Sequence, residues 1–146
     1  MEVIGGKCPI IVEYKLDVVS NEVCRLGNEL LKKYDGPYCM ESFHPLALLW
    51  YKKNRPDVVR GQLSMKFWNE KKYKGKFIYL LMTNLVTNVA TRPDFIAYKH
   101  SDASNLSRRL CKVFGALSVA WTIKSVEQYK VAKDKFDLFI FDSCRL

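Results

Sequence analysis

The chain alternates short, nearly continuous apolar runs with longer segments in which apolar residues recur every three or four positions. Ile10 to Tyr14 is a run of the first kind and reads as a buried strand. In Ser20 to Tyr34 the residues Val23, Leu26, Leu30, Leu31 and Tyr34 fall on one helical stripe, and Gly36 supplies a stop. A second strand, Tyr38 to Phe43, leads to a helix that Pro45 opens where its missing N–H does no harm, with Leu46, Leu49 and Trp50 as its apolar face. Asn54, Arg55 and Pro56 end that helix, and Val58 to Leu63 is the third strand. An apolar helix from about Phe77 to Ala90 is broken by Arg92 and Pro93. Asp94 to Tyr98 is the fourth strand, followed by a helix from about Ala103 to Phe114 with Leu106, Leu110, Val113 and Phe114 inward and Gly115 as its cap. Leu117 to Trp121 is the fifth strand, Ser125 and Gln128 have capping-box spacing for a helix to about Lys133, and Phe136 to Phe141 is the sixth.

Six apolar strands alternating with helices predict an α/β fold, a parallel sheet covered by helices and joined by right-handed crossovers. Six repeats fit either an open doubly wound sheet or part of an eight-stranded barrel, which usually takes about 250 residues. Periodicity leaves both open. In either case ligands sit at the carboxyl ends of the strands, which brings forward Lys15, Phe43, His44, Ser64, Lys99, His100, Trp121, Thr122 and Asp142. The sharpest chemistry there is Glu13 with Lys15. Residues two apart on a strand face the same side, so a carboxylate suited to a divalent cation lies beside an ammonium suited to an anion. On spacing alone a structural ion pair explains them as well.

Composition narrows the picture only locally. Nine Lys/Arg against Asp57 and Glu70 put +7 of the net +9 between Lys52 and Lys76. Such a stretch, interleaved with Phe67, Trp68 and Tyr73, is either a solvated loop or a surface for phospholipid heads or nucleic acid, although no nucleic-acid recognition motif accompanies it. Five cysteines (Cys8, Cys24, Cys39, Cys111, Cys144) show no CxxC spacing and no leader pattern opens the sequence, which predicts a reduced, cytoplasmic chain with cysteines as small buried apolar residues. The apolar segment Phe77 to Ala90 is too short for ~30 Å of hydrocarbon. Gly5 and Gly6 read as a turn and not as a phosphate loop.

Five segments fall at successive strand ends: Ile10-Ile-Val-Glu-Tyr-Lys15, Glu41-Ser-Phe-His-Pro45, Asn54 to Ser64, Arg92-Pro-Asp-Phe-Ile-Ala-Tyr98 and Ala120-Trp-Thr-Ile123. Together, over about residues 6–142, the sequence resembles the later part of the bacterial glycerophosphodiester phosphodiesterases. The resemblance implies a TIM-like barrel, N-terminally truncated to about six of eight strand-helix units, and one partial domain over 1–146. It implies hydrolysis of glycerophosphodiesters to sn-glycerol 3-phosphate and an alcohol, in lipid metabolism, with a bound Ca²⁺ or Mg²⁺. Glu13 matches the family's metal-binding carboxylate, Lys15 the lysine beside the substrate phosphate, and Phe43 and Trp121 the residues lining the substrate pocket.

The departures are as informative. The His-Arg-Gly motif, the Glu-Asn after it, the Glu-x-Asp metal pair and the following His-Asp of the family all precede the Glu-x-Lys strand and are absent from this sequence. Neither family catalytic histidine is therefore present, and the metal ligand set is incomplete. His44 and His100, the only histidines, read as surface loop residues. Tyr14 stands where an aliphatic residue is usual. The expectation is a family hydrolase impaired in this chain, and the alternative is a non-catalytic module that binds phospholipid heads or nucleic acid through the basic stretch. Two unpaired sheet edges would favour self-association.

Overall fold

A computed structural model describes residues 4–16, 20–73 and 75–143. Cys144 and Lys74 lie outside them. The elements are β1 (Ile10–Glu13), α1 (Glu22–Leu31), β2 (Tyr38–Ser42), α2 (Pro45–Asn54), β3 (Val59–Ser64), α3 (Phe77–Thr83), α4 (Asn88–Thr91), β4 (Phe95–Lys99), α5 (Leu106–Val113), β5 (Leu117–Ile123), α6 (Val126–Ala132) and β6 (Leu138–Phe141). The six expected strands all form, each within two residues of its expected limits.

Strand order decides between the two architectures left open by periodicity. The strands lie in the order β1-β2-β3-β4-β5-β6 and every neighbouring pair is parallel. A doubly wound sheet reverses its order at a switch point. Here there is no reversal, so successive crossovers of one hand place their helices on the same face. Side-chain packing agrees. Ile10, Val12, Tyr14 and Met40 pack on α1 and α2 through Cys24, Leu31, Ala47, Leu48 and Tyr51, and Ile96, Tyr98 and Ala120 pack with Ala132 and Phe136. The opposite face is lined by residues of the strands and their ends, with Cys39, Phe43, Leu63, Phe95, Ala97, Val119, Trp121 and Ile140 packed on one another. One helix-covered face and one inward apolar face define six units of a TIM-like barrel. Among the described residues, β1 and β6 each pair on one side only.

Crowding on the inner face explains Gly61. A Cβ there would overlap the ring of Phe95, lying 2.7 Å from Cε1 and closer still to Cε2 and Cζ.

Helix rotation departs from the leucine stripes. Leu106, Leu110, Val113 and Phe114 are exposed, and the residue that α5 buries is Arg108. Its guanidinium donates to the Ala103 carbonyl at 2.8 Å, the Ser118 hydroxyl at 2.7 Å and the Lys135 carbonyl at 2.9 Å, and it lies 4.4 Å from the centroid of the Phe136 ring. A buried charged group needs such full satisfaction. Once anchored, it turns the opposite, leucine-bearing side of the helix to solvent. In α1, likewise, Val23, Leu26 and Leu30 are exposed while Cys24, Asn28 and Leu31 are buried, and Asn28 accepts a 2.7 Å hydrogen bond from Arg55. In α2 the buried residues are Ala47, Leu48 and Tyr51.

The single helix expected over Phe77 to Ala90 is two, interrupted near Leu85, whose φ is 56°. Cys8 is exposed and Cys24 buried, so the expectation of buried cysteines fails at Cys8. Gly5 and Gly6 adopt positive φ in a turn, as expected.

Tyr14 accounts for a glycine inside a helix. Its hydroxyl shares a 2.6 Å hydrogen bond with Tyr51, and its ring occupies the place a side chain at Gly27 would take, 2.7 Å from Cε1 and closer to the hydroxyl oxygen. Helix propensity favours alanine there by about 1 kcal/mol, yet displacing a packed ring costs about 1–3 kcal/mol. Gly27→Ala is therefore expected to lower the urea midpoint, and to become neutral or stabilising in a Tyr14→Leu background. A stabilising effect in the wild-type background would contradict the packing.

Candidate functional site

The carboxyl ends of the strands open into a concavity of about 740 Å³. β1 delivers Glu13 and Lys15 to it, β2 delivers Glu41 and, just past its end, Phe43 and His44, and β5 delivers Trp121 and Thr122. All four residues singled out as site candidates, Glu13, Lys15, Phe43 and Trp121, line this one space. Of the other strand-end residues, Ser64 faces the helices and donates to the Met82 carbonyl, Lys99 pairs with Glu70 at 3.4 Å, and Asp142 pairs with Lys124 at 3.2 Å. A second concavity of about 840 Å³ lies between α5 and the turn after α6, away from the strand ends.

Hydrogen bonds at the ends of three adjacent strands set the geometry. The Tyr14 N–H donates to the Glu41 carbonyl at 2.8 Å, extending the β1–β2 ladder past Glu13. Ser42, fully buried, donates from its hydroxyl to the Tyr14 carbonyl at 2.6 Å and accepts from the His44 N–H at 3.0 Å. The Gln62 amide, on the next strand, donates to the carbonyls of Ser42, Phe43 and Leu63 at 2.9–3.1 Å. Glu13, Lys15, Glu41 and Phe43 therefore stand on one cross-linked frame.

One wall is aromatic. Phe43 meets Trp121 edge-on at 5.5 Å and 85°, and the Trp121 indole N–H donates to the Ala97 carbonyl at 3.0 Å. Phe67 continues the wall at 6.0 Å from Phe43, followed by Tyr79 at 5.2 Å and Tyr73 at 4.6 Å from Tyr79. Phe67 is held by its N–H on the Thr83 hydroxyl at 3.2 Å, and the neighbouring Lys66 N–H donates to Asp102 at 2.9 Å. In the sequence Phe67 and Tyr73 stand out only as aromatics interleaved with lysines, and nothing marks Tyr79. The basic residues themselves scatter: Arg55 pairs with Asp57, Arg60 is buried beside Asp94, Lys52 meets the Ala90 carbonyl, and Lys66 meets Ser104. Arg60 and Lys66 stand at opposite ends of β3, roughly 20 Å apart at about 3.3 Å per residue.

The opposite wall is acidic. Glu13 and Lys15 form an ion pair at 3.8 Å near solvent. Glu41, directly across the strand pair from Glu13, is only 6% exposed, and its Oε2 has no hydrogen-bond partner. Burial, then the Glu13 charge, pushes its carboxyl up to about 7. Sequence reasoning missed Glu41; the available signal was its same-face spacing with Phe43. Among the described residues no three of His, Cys, Asp and Glu converge on one point. His44 lines the concavity, but its Nδ1 accepts from the Leu46 N–H at 3.3 Å as the cap of α2, and burial lowers its pKa. No helix among the described residues is long and apolar enough to cross a membrane.

The architecture is that of a TIM-like parallel barrel, present here as six strand units. Solved structures sharing it include the Oleispira antarctica phosphodiesterase in complex with its product sn-glycerol 3-phosphate, at 19% identity and a TM-score of 0.64, over 88% of this chain and 49% of that one. The Silicibacter pomeroyi protein assigned as a glycerophosphoryl diester phosphodiesterase matches at 14% identity and a TM-score of 0.69, over 90% of this chain and 45% of that one. The Galdieria sulphuraria protein assigned as a glycerophosphodiester phosphodiesterase matches at 16% identity and a TM-score of 0.65, covering 90% and 52%. The chain thus spans about half the length of these structures, and at such identities the likeness is one of fold. No family model and no curated protein matches the chain.

The strained Glu41 makes stability pH-dependent. An ordinary glutamate titrates near 4.5, whereas Glu41 in the fold titrates near 7. A carboxyl whose folded pKa lies above its unfolded value favours folding while protonated and loses that contribution as pH rises through the folded pKa. Between about pH 4.5 and 7 this group should therefore lower stability. Glu41→Gln is expected to remove that pH dependence and raise stability at pH 8 by about 3–4 kcal/mol, at roughly 1.4 kcal/mol per pKa unit. Urea denaturation at pH 5 and pH 8 reads the difference; equal gains at both pH values would rule the assignment out.

Proposed function

We propose that this chain forms the later part of a glycerophosphodiester phosphodiesterase barrel and that its concavity binds the glycerophosphoryl group of the substrate. The observation that carries the reading is the meeting of Glu13, Lys15, Phe43 and Trp121 in one space at the strand ends, in a fold shared with a structure that holds sn-glycerol 3-phosphate. Lys15, exposed beside Glu13, supplies positive charge to phosphate oxygens. Phe43 and Trp121, fixed edge to face, give the glycerol carbons an apolar wall. A divalent cation fits the acidic wall, since hard cations take carboxylate oxygens and a buried carboxylate oxygen there lacks a partner. Glu13 would hold the ion, and a bound ion stabilises charge developing on a phosphate oxygen.

Hydrolysis also needs one group to activate the nucleophile and another to protonate the leaving alkoxide. His44, the histidine at the site, has its Nδ1 engaged as a helix cap. Binding is therefore the property this chain carries by itself, and turnover is weak.

Titration of ¹⁵N-labelled protein with sn-glycerol 3-phosphate should shift the Lys15, Phe43 and Trp121 resonances, and Lys15→Ala should weaken binding at least about tenfold. An unchanged dissociation constant in Lys15→Ala would sink the site assignment. Release of glycerol 3-phosphate from glycerophosphocholine, with Ca²⁺ or Mg²⁺ added, should fall about 10²- to 10⁴-fold below full catalysis for each missing proton-transfer group.

A further inference from the structure

Beyond giving the acidic wall an unpartnered oxygen, Glu41 has no ligand role in the proposed function, where Glu13 alone holds the ion. It stands on β2 in direct register with Glu13 on β1, both side chains on the inner face. Parallel neighbours lie about 4.8 Å apart, a span across which two carboxylates can share one ion whose oxygen ligands sit at about 2.3–2.6 Å. Glu41 is buried to 94%, by its 6% exposure, it lines the concavity, and its buried Oε2 has no hydrogen-bond partner. Among the described residues no lysine or arginine pairs with it: Lys15 pairs with Glu13, Arg60 lies on the opposite face of the sheet beside Asp94, and Lys99 pairs with Glu70.

A buried carboxylate with an unused oxygen is costly to keep unless something charged completes it. The charge that acts on it is that of a second carboxylate, Glu13, which adds repulsion. A solvated lysine could not relieve both at once, because Lys15 is drawn to the outer, more exposed Glu13. A small dication can, since it takes one oxygen from each carboxylate and fills its remaining positions with water or phosphate oxygens.

We infer that Glu41 is a second protein ligand for a divalent cation, and that Glu13 and Glu41 together form a two-carboxylate site between β1 and β2. The inference rests on the reading of Glu13 as a cation ligand. It adds a ligand supplied by this chain's own second strand, inside the aromatic-walled concavity and a few ångströms from where Lys15 meets an anion. With two carboxylates and no third acidic group among the described residues, affinity should be modest, on the order of 10⁻⁴–10⁻³ M, the weak end of calcium sites.

Calorimetric titration of the purified chain with Ca²⁺ should give one site, with Glu13→Gln and Glu41→Gln each weakening it at least about tenfold. Wild-type binding in Glu41→Gln, or no Ca²⁺ binding to the wild type at millimolar concentration, would overturn the inference. A second measurement needs no variant. Substoichiometric Mn²⁺ should broaden the amide resonances of Glu13, Glu41 and Phe43 before any others, and broadening centred away from Glu41 would equally overturn it. Binding of sn-glycerol 3-phosphate in metal-free buffer, which depends on Lys15, tests the parent reading separately: its survival alongside an inert Glu41 would refute the two-carboxylate site alone.

Discussion

The register of β1 on β2 is the constraint on which the site depends. Glu13 opposite Glu41, with the Tyr14 N–H on the Glu41 carbonyl, places two carboxylates, a lysine and an aromatic on the inner face. A slip of one residue would send Glu13 and Lys15 outward among the helices and bring Tyr14 inward. Two opposed requirements forbid it. Tyr14 must bury against α1 and α2, where Gly27 and the Tyr51 hydroxyl receive it, and Ser42 must reach the Tyr14 carbonyl. The outer packing therefore sets the inner chemistry.

This coupling makes sense of a residue that departs from the expected pattern. β1 is an edge strand among the described residues, bonded on one side only, and edge strands open more easily than central ones. An aliphatic residue at position 14 would bury area without fixing direction. Tyrosine buries a ring and also ties its hydroxyl to Tyr51 on α2, across 37 residues of chain. The strand carrying Glu13 and Lys15 is thereby fastened to the helix that follows the strand carrying Glu41 and Phe43.

Much of the architecture was legible in the sequence because strands buried on both faces announce themselves as apolar runs, and Phe95 to Lys99 and Leu117 to Ile123 appear nearly where expected; Ile10 to Glu13 also forms, but as a strand with Ile11 and Glu13 exposed and not as the buried strand its apolar run predicts. What the runs could not supply was strand order, and order is what separates a barrel from a doubly wound sheet. Helix rotation was misread for a different reason. Leucine periodicity assumes that apolar residues choose the buried side, whereas Arg108 and Asn28, each with specific partners, take that side in α5 and α1. Glu13, Lys15, Phe43 and Trp121 were legible as candidates because strand parity and the resemblance converge on them, and they line one concavity. Glu41 was not, because its importance comes from a cross-strand neighbour 28 positions away.

The two walls of the concavity also differ in how firmly they are built. The aromatic wall is assembled from the end of β2, β5, the segment between β3 and α3, and α3 itself, with Phe67 held by Thr83 and Trp121 by Ala97. Several independent anchors keep it in place whatever occupies the site. The acidic wall has Glu13 near solvent in a loose pair with Lys15 and Glu41 buried with an oxygen unused. It is held by its backbone and left electrostatically incomplete. A ligand that arrives with positive charge between the carboxylates and negative charge beside Lys15 gains most from such a wall, and a divalent cation carrying a phosphate has that distribution. The structural stiffness is thus on the side that recognises shape, and the electrostatic need is on the side that recognises charge.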